Sequence, residues 1–237
     1  MTALFESRVG RYVAYAAGEI VLIFIGITLA LAFSNWNESR RLRSIELATL
    51  EDIAGNLQVN VDSFEANIAA DRSSIADCAR IAGLLESRAA WSSEHSSIMG
   101  NCRIWSSPYL QGAAYESLRQ RGTDLVSNRT VRNAVINLYE NTYAELIGDV
   151  DQMQWSFETS TWTPVYVRNL RHRSFVDVMP SDYAQLLNDT EFLNALFRHI
   201  SLLETAVREQ ETALEATRSV LQQVLQETAT HATRSRI

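Results

Sequence analysis

A long uncharged apolar segment near the N-terminus constrains this chain more than any other feature of the sequence. The run from Ile20 to Phe33 has no charged residue, and extending it back to Tyr12 admits only Glu19. The segment 12–36 therefore exceeds the roughly 20 residues that an α-helix needs to cross about 30 Å of hydrocarbon. Aromatic residues stand at both ends of it, as they do at membrane interfaces. We predict a transmembrane helix over 12–36.

The segment also has features of a secretion signal. Arg8 and Arg11 precede it, and Ala30-Leu31-Ala32 has the small-x-small form of a signal-peptidase site, so a cleaved signal peptide is the alternative. The apolar stretch is longer than the about 7–15 residues of a usual signal-peptide core, which favours an uncleaved signal anchor. The tail 1–11 would then lie in the cytoplasm and the large C-terminal domain outside. Arginines on both sides of the segment leave the opposite orientation open.

Small residues recur along the predicted span at multiples of four: Ala14, Gly18, Gly26, Ala30 and Ser34. Small side chains let another helix approach closely in lipid, so these residues are a candidate contact for a partner helix. The alternative is chance, because Ala and Gly are common in membrane helices. Glu19 is an intramembrane carboxylate one turn inside the boundary, where it either faces protein or reaches back to the headgroups.

Two motifs in the chain resemble a widespread but uncharacterised family of small bacterial membrane proteins. The first comprises Gly18-Glu19-Ile20, Gly26-Ile27, Ala30-Leu31 and Asn35-Trp36-Asn37-Glu38; the second comprises Tyr115-Glu116-Ser117-Leu118, Gly122, Leu125, Asn128 and Val131-Arg132. The resemblance covers mainly residues 11–40 and 113–145, with Ser34 and Arg119 as departures. It implies a single-pass protein of the bacterial inner membrane with a helical domain, and it implies no chemistry.

A heptad pattern follows the apolar segment. One row of the heptad is Leu47, Ala54, Val61, Ile68, Ile75 and Ala82, and the other is Leu50, Leu57, Phe64, Asp71, Cys78 and Leu85. All but Asp71 are apolar or cysteine, which predicts one long amphipathic helix over about 40–88. Asp71 is a polar residue in this seam and can select a partner or a register; the simpler alternative is that a local water or its neighbour Arg72 satisfies it.

The C-terminal region has a similar pattern, which predicts a second long helix over 181–230. Between the two long helices we predict a loop over 89–107, a short helix over 108–121, a helix over 128–163 capped by Asn128, and irregular chain over 164–180. The fold class is therefore all-α: a transmembrane helix that continues into a long-helix antiparallel bundle of four-helix type, residues 37–237.

The composition agrees with long helices and argues against a nucleic-acid binder. Only 9 glycines and 3 prolines occur in 237 residues, too few for a turn-rich fold. All 21 basic residues are arginine, and 28 acidic residues leave a net charge of −7. Because phosphate binding needs a basic face, no nucleic-acid partner is expected.

Two cysteines and an arginine cluster are the remaining candidate sites. Cys78 and Cys102 would form a disulfide in an oxidising compartment; the alternative is a buried Cys78 and a free Cys102 thiol. Arg168, Arg171 and Arg173 would contact an acidic partner or anionic headgroups, or simply form a solvated charged face. His199, at bundle spacing between apolar residues, is expected to be a capped or half-buried surface histidine.

No catalytic, phosphate-binding or metal-binding motif is present in the sequence. We therefore expect a non-enzymatic protein with no cofactor or metal, acting as an accessory or scaffolding subunit of a larger photosynthetic, respiratory or transport complex. Its partners would be the lipid bilayer and other membrane proteins, with a homo-oligomer as a further possibility. The alternative is a membrane-tethered sensory or ligand-binding module, with a polar or aromatic pocket near Trp155, Trp162 or Tyr166.

Overall fold

The computed structural model describes residues 8–234, without the side chains of 8–11, 14 and 231–234. It is 83% helical with one small two-stranded sheet, which confirms the predicted all-α fold. In chain order the elements are α1 (Arg8–Glu86), α2 (His95–Cys102), α3 (Ala113–Arg121), a 3₁₀ turn (Thr123–Leu125), α4 (Arg129–Asn137), α5 (Tyr143–Glu145), α6 (Gln152–Phe157), α7 (Thr163–Asn169), β1 (Leu170–His172), β2 (Val178–Pro180), α8 (Tyr183–Leu186) and α9 (Thr190–Arg234).

The chain divides into two compact units, Met1–Ala48 and Thr49–Ile237. In the described part of the first unit, α1 carries the apolar segment. This is the one stretch of the described residues that is long and apolar enough to cross a membrane. Every described side chain from 12 to 36 is exposed, so nothing within the unit covers this apolar surface. The same helix continues without a break through residues 35–39.

Helices α1 and α9 form the antiparallel core of the second unit. Glu65 of α1 pairs with Arg218 of α9, and Arg72 pairs with Glu211. Because the α1 partners rise in number while the α9 partners fall, the two helices run in opposite directions. This is the antiparallel arrangement of long helices that the heptad patterns predict.

The helical run 129–169 is the third long segment of the second unit. The Tyr143 hydroxyl lies 2.8 Å from Oγ1 of Thr217 on α9, and the Trp162 ring stacks on His199 further back along α9. The run is therefore antiparallel to α9 and parallel to α1. Two apolar clusters, one at each end of the unit, hold the three segments together.

The buried face of α1 is wider than the predicted two-row seam. All seam positions are buried except Leu47 and Ile75, which are half-buried. A further row, Glu46, Ile53, Asn60, Ser74 and Ile81, is buried as well. A two-row seam suits a single partner helix, whereas α1 packs against α9 on one side and against α2 and the chain around 104–112 on the other.

The segment 89–112 differs from its prediction. Helix α2 lies inside the expected loop 89–107, because Ile98, Met99 and Cys102 make a buried face. The next helix begins at Ala113, not at 108. The chain before Ala113 stays non-helical because side chains of α1 bind its backbone: Ser74 Oγ donates to the Ile104 carbonyl, and Asp71 accepts from the Ser106 N–H.

The run 129–169 begins at the predicted cap, since Asn128 Oδ1 accepts from the Thr130 N–H at 3.0 Å. Three π-helical turns interrupt it, Leu138–Thr142, Leu146–Asp151 and Glu158–Trp162. The helix continues beyond the predicted end at 163. Pro164 does not end it because the proline occupies the first turn of α7, where a missing N–H costs least.

A β-hairpin occupies most of the segment that was expected to be irregular, 164–180. Strands β1 and β2 pair antiparallel with Leu170 opposite Pro180. The hairpin packs on α2 so closely that a β-carbon on Gly100 would overlap the carbonyl oxygen of Val176. No sequence alternation marks strands as short as these, which explains why they were missed.

The predicted helix 181–230 is two helices. Asp182 caps α8, and the chain then leaves the helical path before α9 begins. Asp189 causes this break: its Oδ1 accepts from the Phe192 N–H at 2.9 Å, and its Oδ2 accepts from Asn169 at 2.8 Å. A carboxylate that caps a new helix must itself lie outside the previous one.

Candidate functional site

Cys78 of α1 and Cys102 of α2 form a disulfide, and both residues are fully buried. The bond joins the end of α2 to α1 across a sequence separation of 24 residues. Further contacts hold the same place: Asn101 donates to Asp77 at 2.7 Å, and the Ser74 hydroxyl, which donates to the Ile104 carbonyl, also lies 3.0 Å from the Asn101 carbonyl. The chain that leaves α2 is therefore fixed to α1.

Arg103 follows directly and lies against the hairpin. Its Nη2 donates to the carbonyl of Phe175 at 3.0 Å, and its guanidinium carbon lies 4.1 Å from the centre of the Phe175 ring. A cation over an aromatic face is attracted by the ring quadrupole. The Nε atom of Arg103 is buried and donates to no described residue.

A polar face of the run 129–169 meets Arg103 and α9. Gln154, Glu158, Trp162 and Tyr166 are spaced by four residues, so they follow one another along one side of the helix. The π-helical turn Glu158–Trp162 lies in the middle of this set. A π turn holds more residues than an α turn and so changes which side chains share a face; such turns are frequent at functional sites.

His199 of α9 packs on this face and is completely buried. Its Nε2 lies 3.0 Å from the carbonyl oxygen of Cys102, so we assign the ring proton to Nε2 and leave Nδ1 as an acceptor. The Trp162 ring stacks on the imidazole with centroids 4.9 Å apart. The expectation of a surface histidine is wrong, because its partners come from two distant segments of the chain.

Burial shifts the proton affinities of the groups in this site in opposite directions. It raises the pKa of Glu158 to about 7, opposed by a hydrogen bond from Thr163 and by the positive charge of Arg103. It lowers the pKa of His199 to about 4, opposed by the bond to Cys102. Burial also raises the pKa of Tyr166. In each case the apolar surroundings disfavour the charged form.

Several polar atoms of this site lack hydrogen-bond partners among the described residues. They are Arg103 Nε, Glu158 Oε2, Trp162 Nε1, Tyr166 OH and His199 Nδ1. We call these five residues the polar cluster. A buried polar atom without a partner costs about 1–3 kcal/mol, and native proteins contain few of them. Five such atoms in neighbouring positions make the polar cluster the candidate site of the second unit.

A small cavity lies next to the polar cluster, lined by Gln154 and Gln210, by Ser106 and Asp151, and by apolar side chains. The centre of a water molecule has about 10 Å³ to occupy in it, which is room for a single water. Gln154 Nε2 and Gln210 Oε1 both lack partners, and one donates where the other accepts. Asp71 accepts from Gln210 Nε2 at 3.0 Å, so the polar seam residue is paired inside the bundle and not with its neighbour Arg72.

The predicted sites of the membrane segment lie on the first unit. Gly18, Gly26, Ala30 and Ser34 are exposed, whereas the side chain of Ala14 lies outside the described residues. A β-carbon on Gly18 would meet nothing within 4 Å. Gly18 forms the floor of a surface notch whose rim is Tyr15, Glu19, Leu22 and Ile23. The notch places the carboxylate of Glu19 beside a position where another helix can approach.

The predicted arginine cluster is split by the fold. Arg168 forms a salt bridge with Glu191 of α9 at 2.6 Å, so its charge is already paired within the second unit. Arg171 and Arg173 are exposed on the hairpin, next to exposed Phe175 and Val176. Of the aromatic residues named for a pocket, Trp162 and Tyr166 belong to the polar cluster, while Trp155 is exposed against Trp105.

Sequence reasoning missed Arg103, Glu158 and His199 as members of the site. The signal for Glu158 was its place four residues from Trp162, but a glutamate on a helix is usually solvated. Among the described residues, no group of three or more His, Cys, Asp or Glu side chains is placed to hold a metal ion.

No protein-family model, curated protein or solved structure matches this chain. Every inference about its function therefore starts from its own residues.

Proposed function

We propose that this protein is a single-pass membrane protein of the bacterial inner membrane that acts as an accessory or scaffolding subunit of a larger membrane complex. The observation that carries the proposal is the fully exposed apolar surface of α1 over residues 12–36. An apolar surface of this size is not stable in water, and the bilayer would cover it. The resemblance of residues 11–40 to bacterial membrane anchors supports the same placement.

The notch at Gly18 supports a contact with another helix. Lipid does not require a depression in a helix surface, and it disfavours the neighbouring carboxylate of Glu19. A partner helix would fill the notch by close packing and would pair the carboxylate. A photosynthetic, respiratory or transport assembly would supply such a helix, and a second copy of this chain is the other source.

The disulfide supports a periplasmic position for the second unit. Disulfides persist in oxidising compartments such as the periplasm and are rare in the cytosol. Cys78 and Cys102 are buried in the core, so the bond would form during folding of this unit. Thiol labelling of whole cells under denaturing conditions tests this: without a reductant neither cysteine should react, whereas two free thiols would contradict the periplasmic placement.

Co-purification from membranes tests the helix contact. The tagged full chain, extracted in a mild detergent, is expected to retain a second membrane protein. Gly18→Leu fills the notch and should lower the retained amount about tenfold, while Ala16→Leu places the same side chain on the opposite side of the helix and should not. Equal retention by both variants would contradict a contact at the notch.

A second candidate function is a membrane-tethered sensory or ligand-binding module. The polar cluster favours it, because a bundle that served only as a spacer would be packed by apolar side chains. In this reading the second unit binds a small molecule and the membrane helix conveys the bound state to a separate partner.

A further inference from the structure

The partnerless buried polar atoms of the described residues all lie in one region of the second unit. They belong to Arg103, to one face of the run 129–169, and to α9. The face contributes Gln154, Glu158, Trp162 and Tyr166, and α9 contributes His199 and Gln210. Defects of packing would be scattered through the interior. Their concentration makes this region the strongest candidate in the second unit for a bound molecule.

The region has two parts, which differ in the kind of molecule that each could hold. The cavity between Gln154 and Gln210 has room for one water molecule, which would accept from Gln154 and donate to Gln210. The polar cluster is chemically richer because it contains an arginine, a carboxyl group and three aromatic or imidazole rings. One water molecule would supply the missing hydrogen-bond partners of Gln154 and Gln210. The partnerless atoms of the polar cluster would still need an occupant.

The charges of the polar cluster define the molecule that it would bind. Arg103 and Glu158 act on each other electrostatically, yet among the described residues no ion pair joins them within 4.0 Å. The guanidinium has an unused Nε–H, and the carboxyl group has an unused Oε2. A molecule between them must offer an acceptor to the first and a donor to the second, and its net charge must be close to zero.

We propose that the polar cluster binds a small zwitterion of the amino-acid class, with its carboxylate on Arg103 and Tyr166 and its ammonium group on Glu158. The assignment rests on the second candidate function and names its ligand. Trp162 and His199 form a stacked wall of the site, and their partnerless nitrogens provide one more donor and one more acceptor. The Tyr166 ring, 5.5 Å from that of Trp162, completes the aromatic lining.

The hairpin is the route of entry. Arg103 holds it through the Phe175 carbonyl and ring, and the paired strands are only three residues long. The disulfide and the Ser74 contact fix Arg103 on the α1 side, so the hairpin is the element whose displacement would open the polar cluster. A carboxylate on the unused Nε–H would bind beside the Nη2 that donates to the Phe175 carbonyl, so ligand and hairpin would share one guanidinium.

Glycine, the smallest amino-acid zwitterion, is the probe for this site. Tryptophan fluorescence of the purified full chain in detergent is followed during titration with glycine, with acetate and methylamine as single-charge controls. Glycine should give a saturable change with a dissociation constant of about 1 mM, as expected for two charge-assisted hydrogen bonds. Acetate and methylamine should each bind at least about tenfold more weakly, because each leaves one charged group unpaired.

Two variants localise the response. Glu158→Gln keeps the shape of the side chain and removes the partner of the ammonium group, so it should weaken glycine binding about tenfold. Glu116→Gln removes an exposed carboxylate paired with Arg119 on α3 and should leave binding unchanged. The absence of a saturable response, an equal effect of the two variants, or a response to acetate as strong as that to glycine would each overturn the proposal. None of these results bears on the membrane-helix contact, which the Gly18→Leu experiment tests separately.

Discussion

The Nε2 atom of His199 lies 3.0 Å from the carbonyl oxygen of Cys102, so a buried histidine of α9 is bonded to the backbone of a disulfide-linked cysteine. Through this bond and the disulfide, α1, α2 and α9 meet at one point. Arg103 is the next residue, which means that the position of its guanidinium depends on all three helices. The polar cluster therefore lies beside a point at which three helices are joined.

Removal of the disulfide should lower stability substantially. The bond closes a loop of about 25 residues, and in the chain-entropy model this contributes about 3 kcal/mol. Thermal and urea denaturation of the full chain in detergent, followed by near-ultraviolet circular dichroism, should show this loss in the double variant Cys78→Ala with Cys102→Ala. Reductant should destabilise the wild type and leave the double variant unchanged. Equal stability of the two proteins would show that the bond does not form.

Replacing each of two glycines by alanine should change the stability of the second unit in opposite directions. Gly100→Ala places a methyl group on the Val176 carbonyl, so it should destabilise the unit by about 1–3 kcal/mol and displace the hairpin. Gly83→Ala, on an exposed face of α1 with open space around it, should stabilise by about 0.5–1 kcal/mol. Denaturation midpoints measure both, and a neutral Gly100→Ala would mean that the hairpin is not packed on α2.

The buried amide of Asn60 should be sensitive to substitution. It donates to the Gln111 carbonyl at 3.0 Å and accepts from the Gln111 N–H at 2.6 Å. Asn60→Leu leaves the Gln111 N–H unpaired, whereas the Gln111 carbonyl keeps the Tyr139 hydroxyl at 3.2 Å. We expect a loss of about 2–3 kcal/mol. Asn67→Leu, which removes one longer bond at the half-buried edge, should cost about 1 kcal/mol or less. A similar loss in both variants would contradict this account.

Glu158 and His199 should change stability with pH in opposite directions over the same range. The pKa of Glu158 is raised in the folded state to about 7. Its contribution to the free energy of unfolding is therefore lost as pH rises from about 4.5 to 7. The pKa of His199 is lowered in the folded state to about 4. Its contribution to the free energy of unfolding is therefore lost as pH falls from about 6.5 to 4. Each contribution is at most about 3 kcal/mol, and the two largely cancel in the wild type.

Single substitutions should separate the two contributions. Relative to the wild type, Glu158→Gln should become less stable as pH falls from 7 toward 4.5, because the compensating carboxyl group is gone. His199→Gln, which keeps a donor for the Cys102 carbonyl, should become more stable over the same fall. The groups that face Glu158 are Arg103, Tyr166 and Thr163, and they remain in both variants. Parallel pH profiles for all three proteins would show that neither group is buried.

The sequence predicts those parts of the fold that depend on local periodicity. The two seams of α1 and α9 follow from residues three and four apart, and the Asn128 cap follows from its own side chain. The buried row containing Asn60 and Ser74 was missed because polar residues there satisfy the backbone of residues 101–111, which lie far along the chain. For the same reason, His199 was wrongly expected to lie at the surface.

The candidate site was predictable only in part. Trp162 and Tyr166 were named from the sequence because aromatic residues in a bundle often line pockets, and both belong to the polar cluster. The roles of Arg103 and Glu158 depend on the disulfide and on a π-helical turn. The Cys78–Cys102 pairing was one of the two alternatives predicted from the sequence, but where it places Arg103 was not. A π turn has no signature in the surrounding residues, since it is set by packing between distant segments.

The apparent mass of the intact chain, extracted from its native membrane in a mild detergent and separated under native conditions, tests the proposed role most directly. A subunit of a larger assembly should migrate well above the 26.7 kDa of one chain with its detergent, together with a second membrane protein. Gly18→Leu should shift it toward the size of one chain. Migration of the wild type as a lone monomer would contradict the proposal.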